Sequence, residues 1–97
     1  MKIPHDSILY LESFKQTIML HTSKEQHSFT GRIGEIAEKL EKHGFVRIHK
    51  SYVANLRHVE CIYKETVRLD TGQSIPLGRQ YGKIAQAAVL HHGLANL

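Results

Sequence analysis

The sequence predicts an α+β domain that is mostly antiparallel β, with one small amphipathic helix and a second helix near the C-terminus. Short apolar runs separated by polar turns recur along the chain, and this arrangement is typical of strands joined by hairpins. Two longer segments carry helical residue patterns instead. At 97 residues, the chain is long enough for one hydrophobic core and too short for two. We therefore expect a single domain over residues 1–97.

The first part of the chain predicts a β-hairpin. The runs ILYLES (8–13) and TIML (17–20) are apolar and are separated by residues 14–16. Two such runs with a polar connection indicate paired strands whose tip carries polar atoms. Another short strand is expected at 27–29, after a polar segment rich in turn-forming residues.

The clearest helix covers residues 32–44. An apolar stripe repeats there at i, i+3, i+4 and i+7, formed by Ile33, Ile36, Ala37 and Leu40. Acidic and basic residues are interleaved on the other face, which we therefore expect to be solvated. Thr30 is expected to cap the N-terminus of this helix, and Gly44 to end it.

The second half of the chain predicts more strands and a closing helix. Strand patterns occur at 59–63, 66–69 and 73–77, and the turn residues 70–72 join the last two into a hairpin. Pro76 has no N–H to donate, so its strand belongs at a sheet edge or end. Residues 79–92 predict a helix with one face formed by Ile84, Ala88 and His91 or His92.

Composition narrows the function classes. Hydrophobic residues make up 41% and charged residues 23% of the chain, which predicts a folded domain. The formal net charge of +4 suits a polyanion such as nucleic acid, or an anionic membrane surface. No apolar run reaches membrane-spanning length and no signal pattern is present, so we expect a cytoplasmic protein. Cys61 is the only cysteine, and we expect it to be a buried structural thiol.

Catalytic and metal chemistry are weakly indicated. The eight histidines include no HExxH motif, and His91 and His92 are adjacent, which points them in different directions on a helix. His49 and Ser51 lack an evident acid to complete a triad. We expect no metal and no cofactor. Asp70-Thr71-Gly72 is similar to the triplet of small homodimeric aspartic proteases, although a hairpin turn explains all three residues.

The stretch FVRIHKSYVANL (45–56) is harder to explain by folding alone. It begins with the alternation of a half-buried strand, but His49, Lys50 and Ser51 then interrupt the apolar pattern. Buried polar side chains cost free energy unless they find partners. These residues are therefore expected to face a partner outside the core.

Together with IPLGRQY (75–81) after the hairpin, and with ILYLES near the N-terminus, this stretch resembles the LytTR DNA-binding domain family. That family is the output module of many bacterial response regulators. The likeness covers about residues 6–88. It implies an elongated, mostly antiparallel β fold that binds double-stranded DNA through loops inserted into successive major grooves.

The resemblance assigns DNA contacts to three loops. His49, Lys50 and Ser51 form one, in which Lys50 reaches a phosphate or base edge and Ser51 donates to phosphate. Arg79 lies in the second. Its planar guanidinium can address guanine O6 and N7 together, and the alternative is that it supports the last helix. The third loop is the hairpin tip, formed by Lys15, Gln16 and Thr17.

Further positions complete this interpretation. Arg47 and Lys83 are expected to add phosphate contacts. Asn55 either contacts DNA or ties the local turn. Family members commonly have serine just before the arginine, where this chain has Gly78, so a hydroxyl that could hold phosphate is absent.

The resemblance also implies the partners. Two copies would bind a repeated promoter site, as the effector end of a response regulator whose receiver is absent from this chain, or as a stand-alone regulator. Linked copies bind with higher avidity, so a receiver would act by pairing them. The alternatives are a small homodimeric hydrolase that uses Asp70 and a protein-interaction module whose basic charge is incidental.

Overall fold

Two antiparallel sheets and two helices make up the fold in the computed structural model, which describes residues 2–95. The strands are β1 (Ile8–Phe14), β2 (Thr17–Thr22), β3 (Gln26–Thr30), β4 (Phe45–His49), β5 (Tyr52–Asn55), β6 (Val59–Tyr63), β7 (Thr66–Leu69) and β8 (Ser74–Pro76). The helices are α1 (Ile33–Glu41) and α2 (Gly82–Ala95), and short 3-10 turns lie at His5–Ser7, Leu56–His58 and Arg79–Tyr81. The predicted α+β class with mostly antiparallel strands is confirmed.

The larger sheet has five strands in the order β3-β2-β1-β5-β4. β1 lies at its centre, paired with β2 on one side and β5 on the other. Both faces of β1 are covered, because residues 8–11 are each no more than 5% exposed. This explains why the run ILYL is continuously apolar, since a strand buried on both faces has no polar side to alternate with.

The two faces of this sheet contribute to two separate cores. One core contains α1 and is formed by Ile8, Leu11, Ile18, Leu20, Ile33, Phe45 and Val53. The other brings in the second sheet, β6-β7-β8, and α2, and is formed by Leu9, Tyr10, Ile48, Ala54, Val67, Leu69, Ile75 and Ala85. The longest extent is 33 Å, against 26 and 25 Å in the other directions. The molecule is thus more compact than the elongated shape that we expected.

The predicted hairpins form where the turn residues placed them. β1 and β2 are joined at residues 15–16, and β7 and β8 at residues 70–73. β8 is an edge strand, which accommodates Pro76 because an edge strand leaves one side of its backbone without a ladder partner. No helix within residues 2–95 is long and apolar enough to cross a membrane.

Two details of the predicted helices are wrong. Thr30 ends β3, and α1 begins after Arg32, whose side chain makes no capping hydrogen bond. In α2, Ala85 is fully buried and Ile84 is 62% exposed. The predicted face is therefore rotated, because the apolar residues of this segment surround the helix and give its periodicity no clear phase. Gly44 follows the end of α1 with a φ of +86°, which glycine adopts readily.

Candidate nucleic-acid interface

Two hairpin tips lie side by side at one end of the five-stranded sheet. β1 and β4 run toward this end, where residues 15–16 and 50–51 reverse the chain. The Ser13 backbone N–H donates to the Ser51 carbonyl over 2.8 Å. The tip of the first hairpin is therefore fixed beside the polar loop of FVRIHKSYVANL.

The second sheet brings two more segments to the same end. The Gly78 N–H donates to the Ile48 carbonyl over 2.7 Å, and the Leu77 N–H donates to the Glu65 carbonyl over 2.9 Å. These bonds place the segment 77–79 next to β4, and the β6–β7 tip next to that segment. We call residues 14–17, 49–51, 63–66 and 77–79 together the loop face.

The loop face carries an excess of positive charge. Its charged side chains are Lys15, Lys50, Lys64 and Arg79, against the single carboxylate of Glu65. The turns at the opposite end, residues 23–25, 42–44, 56–58 and 70–73, hold three cations and two carboxylates. All four cations of the loop face are exposed. A polyanion is therefore attracted to this end of the molecule more than to the other.

The loop at 49–51 has a defined geometry. The Ser51 backbone N–H donates to His49 Nδ1 over 3.0 Å, so Nε2 carries the proton of the neutral ring. The His49 ring packs edge-on against Tyr52, with ring centroids 5.4 Å apart. This hydrogen bond from the Ser51 backbone orients the His49 ring, and Lys50 is left exposed at the tip of the loop.

Arg47 braces this loop from inside. Its Nε donates to the His49 carbonyl over 3.3 Å and its Nη2 to the Lys50 carbonyl over 2.7 Å. The guanidinium carbon lies 5.6 Å from the centre of the Tyr81 ring, a favourable cation–π contact. Arg47 thus connects the 49–51 loop to the 3-10 turn Arg79–Tyr81, a role that its place in a strand pattern did not indicate. Tyr81 was likewise not predicted as a site residue.

Gly78 allows these two segments to approach closely. A Cβ at this position would lie 3.0 Å from Tyr81 Cδ2 and 3.3 Å from the His49 Cα. Such contacts are shorter than ordinary van der Waals separations, so a larger residue would require the Tyr81 ring or the loop backbone to move. Gly78 therefore has a packing role here.

The other predicted site residues differ in their placement. Arg79 is exposed and its side chain makes no hydrogen bond or ion pair with residues 2–95. Lys83 is exposed in the first turn of α2, next to the loop face. Gln16 and Thr17 are exposed beside Lys15, whose φ is +59° and whose Nζ lies 5.5 Å from the centre of the Phe14 ring.

Asn55 does not belong to this surface. Its side chain lies inside the protein, where Nδ2 donates to the carbonyls of His5 and Ile8, and Oδ1 accepts from the Arg57 N–H. Only 2% of the residue is exposed. The predicted DNA contact at Asn55 is therefore wrong, and the alternative of tying the local turn is correct.

Asp70, on which the hydrolase alternative depends, has a structural role. Asp70 lies opposite the loop face, where its Oδ2 is 3.0 Å from His58 Nδ1.

Cys61 is exposed, so the prediction of a buried thiol is wrong. Across residues 2–95, no group of three or more histidine, cysteine or acidic side chains is arranged to hold a metal ion.

A small mixed α+β domain with a cationic row of loops at one end is suited to binding a polyanion such as nucleic acid. The family model of the LytTr DNA-binding domain matches residues 1–89, and the chain belongs to this family. The chain is therefore a DNA-binding domain, and its family is not an enzyme family.

A solved structure shares the fold, and curated proteins are similar in sequence. The fold is similar to that of the LytTr DNA-binding domain of a Bacillus cereus protein, with a TM-score of 0.82 at 20% identity, over 92% of this chain and 86% of that one. The transcriptional regulatory protein LytR of Staphylococcus aureus strains N315 and USA300 is 27% identical over 75 residues, which is 72% of this chain. The match spans 30% of those relatives, so this chain corresponds to less than a third of their length.

Proposed function

We propose that residues 1–97 act in the cytoplasm as one sequence-specific double-stranded DNA-binding domain that regulates transcription, with its loops inserted into successive major grooves. The observation that carries the proposal is the convergence of the loops with four exposed cations at one end of the molecule. Lysine and arginine contacts to phosphate supply most of the affinity in such complexes, and side chains that reach base edges supply the sequence preference.

Each part of the loop face has a proposed role. Arg79 reads a guanine, because its guanidinium is exposed and free to make two parallel hydrogen bonds to O6 and N7. Lys50 and Ser51 meet phosphate, and His49 presents Nε2 to a base edge or phosphate. Further phosphate contacts come from the β1–β2 tip and from Lys83. Arg47 shapes the 49–51 loop from behind.

The wider context is also part of the proposal. The name of the Staphylococcus aureus relatives describes a transcriptional regulatory protein, and they extend well beyond the matched segment. We propose that this domain is the effector part of a two-component response regulator, or else a stand-alone regulator, and that two copies bind a repeated promoter site. A receiver domain would then act by pairing the effector domains, since linked binding events raise the local concentration.

The experiment that tests this function is selection of bound duplexes from a randomised DNA library with the purified domain at near-physiological salt. Recovery of a recurrent motif, repeated at a fixed spacing, is the expected result. If the selection recovers only background sequences, and a version of the domain fused to a constitutive dimer also recovers none, sequence-specific binding is excluded.

The Arg79→Ala variant tests base readout on the selected site. We expect binding to weaken by about 1–3 kcal/mol, with preference relaxed at one base pair, because a bidentate contact to guanine is lost. Affinities for the selected duplex and for single-base variants of it give both quantities. An equal loss on every duplex would instead identify Arg79 as a phosphate contact.

A further inference from the structure

We propose that the β6–β7 tip, residues 63–66, is a fourth DNA-contacting segment that holds the phosphate backbone through Lys64. This inference rests on the proposed function of the domain, and it adds a contact that the sequence pattern of the three expected loops does not contain. The partner is the phosphate backbone of the same duplex, outside the base pairs that the other loops read.

Two hairpin tips of the molecule have the same local design. The segment FKQT (14–17) joins β1 to β2, and YKET (63–66) joins β6 to β7. In both, the aromatic residue pairs with the threonine across the end of the ladder, and two residues make the turn. Lysine is the first turn residue in each case, with φ values of +59° for Lys15 and +54° for Lys64.

The side chains of the two tips are also placed alike. The Lys15 Nζ lies 5.5 Å from the centre of the Phe14 ring, and the Lys64 Nζ lies 5.3 Å from the centre of the Tyr63 ring. Both rings project into solvent, with Phe14 70% and Tyr63 64% exposed. Each tip therefore presents an exposed aromatic ring with an ammonium group held over its face.

Lysine at a positive φ is an unfavourable choice for the fold. Glycine, asparagine or aspartate is preferred at such turn positions, because other side chains adopt positive φ at a cost. Glycine would fit both tips without that cost, yet lysine occupies both. The presence of a lysine at positive φ in two separate turns points to a requirement for its charge rather than for the turn itself.

The position of the β6–β7 tip matches such a requirement. Along the loop face, the β1–β2 tip adjoins the 49–51 loop through Ser13 and Ser51, and the 77–79 segment adjoins β4 through Gly78 and Ile48. The Leu77–Glu65 hydrogen bond then places the β6–β7 tip next. The two lysine-bearing tips therefore lie at opposite ends of the row, where they can hold the phosphate backbone on either side of the central loops.

The two tips differ at one position that makes the proposal testable. Glu65 stands where the first tip has Gln16. A carboxylate next to phosphate repels it, so the β6–β7 tip would attract DNA less strongly than the β1–β2 tip. Replacing this carboxylate with the amide should strengthen binding, whereas removing the lysine should weaken it.

The test uses Lys64→Gly and Glu65→Gln, with Lys24→Ala as the matched control. Lys24 is also an exposed lysine in a turn, but it lies at the other end of β2. Affinity for the selected duplex is measured for each protein at salt concentrations from about 50 to 200 mM. Urea unfolding of each variant accompanies these measurements, and Lys64→Gly should be as stable as the wild type or more so, because glycine adopts the positive φ freely.

We expect Lys64→Gly to weaken binding and to make the plot of log affinity against log salt concentration shallower by about 0.9, the change for one phosphate contact. Glu65→Gln should bind more tightly at low salt, with the gain shrinking as salt increases. Lys24→Ala should leave the slope unchanged.

Three results would overturn the inference. Wild-type affinity and slope in both tip variants, while Arg79→Ala still weakens binding, would place the β6–β7 tip away from DNA and leave the proposed function intact. An equally shallower salt slope in Lys24→Ala would mean that the effect comes from the overall charge of the protein and not from a contact at the β6–β7 tip. Failure of both the wild-type domain and its dimer fusion to prefer any duplex would remove the proposed function itself, and this inference with it.

Discussion

At the scale of single residues, His58 is a cross-link at the end of the molecule opposite the loop face. Its Nδ1 lies 3.0 Å from Asp70 Oδ2 and its Nε2 lies 2.6 Å from the Asp6 carbonyl oxygen. Both partners are acceptors, so only the doubly protonated ring satisfies both hydrogen bonds. Burial lowers the pKa of His58, but the hydrogen bonds to Asp6 and Asp70 outweigh it, and the net pKa is raised above 6.5.

The raised pKa of His58 predicts how stability depends on pH. A group whose pKa is raised on folding contributes stability that is fully present below its unfolded pKa and is lost as pH rises through its folded pKa. Asp70→Asn removes the negative charge that favours the imidazolium. We therefore expect the urea midpoint of the variant to lie below that of the wild type near pH 6, and the difference to shrink toward about pH 8.5.

The same Asp70→Asn variant separates the DNA-binding domain from the hydrolase alternative. Its affinity for the selected duplex should equal that of the wild type, because Asp70 lies opposite the loop face. A stability difference that stays constant with pH would show that Asp70 does not act through the charge of His58. Loss of a hydrolytic activity together with unchanged DNA affinity would point to a second function.

Single residues are also where sequence patterns were least informative. The partners of Asn55 include the carbonyls of His5 and Ile8, which lie 50 and 47 positions earlier in the chain. Periodicity reports the face of an element on which a side chain lies and does not report such distant partners. The sequence therefore left open whether Asn55 contacts DNA or ties the local turn, and the structure shows a buried side chain that makes three hydrogen bonds.

At the scale of elements, the hairpins were predictable because their signals are local. Two apolar runs and a polar turn between them are enough to pair β1 with β2 or β7 with β8. The pairing of β1 with β5 depends on contacts between residues some 40 positions apart, and no local pattern encodes it. The orientation of α2 was missed for a different reason, since apolar residues occur on several of its sides.

Arg47 links two elements. We predict that its loss lowers DNA affinity without changing the salt dependence of binding. Arg47→Met keeps the aliphatic stem but leaves the carbonyls of His49 and Lys50 without their donors. We expect the free energy of unfolding to fall by about 1–3 kcal/mol. DNA affinity should also fall, with the salt slope unchanged, because the 49–51 loop loses its shape while no phosphate contact is removed.

Lys83→Ala is the matched control for Arg47→Met. Lys83 is exposed, so its removal should leave stability unchanged and make the salt slope shallower by about 0.9. Urea unfolding and salt-dependent binding of the two variants give the comparison. A shallower salt slope in Arg47→Met would instead support the phosphate contact that was expected for Arg47 from the sequence.

At the scale of the whole molecule, the size of the domain limits how two copies can share a duplex. The longest extent is 33 Å, close to the roughly 34–36 Å of one helical turn of DNA. A copy that enters successive major grooves therefore already spans about one turn, so two copies can lie side by side on one face of the duplex only when their sites are centred about two turns apart. The resemblance predicts a repeated site, and the size of one copy sets a lower limit on the spacing of the repeats.

The spacing predicts cooperative binding that depends on helical phase. Two selected motifs centred about 20–21 base pairs apart, two helical turns, should be bound by two copies more tightly than the separate sites imply. Inserting about five base pairs rotates one copy to the opposite face of the duplex, so this gain should disappear, and a full extra turn should keep the copies aligned but separated. Titrations of duplexes with each spacing, monitored by gel shift, measure the gain in affinity directly. Equal cooperativity at every spacing would mean that the copies communicate through a flexible connection rather than through adjacent surfaces on the DNA.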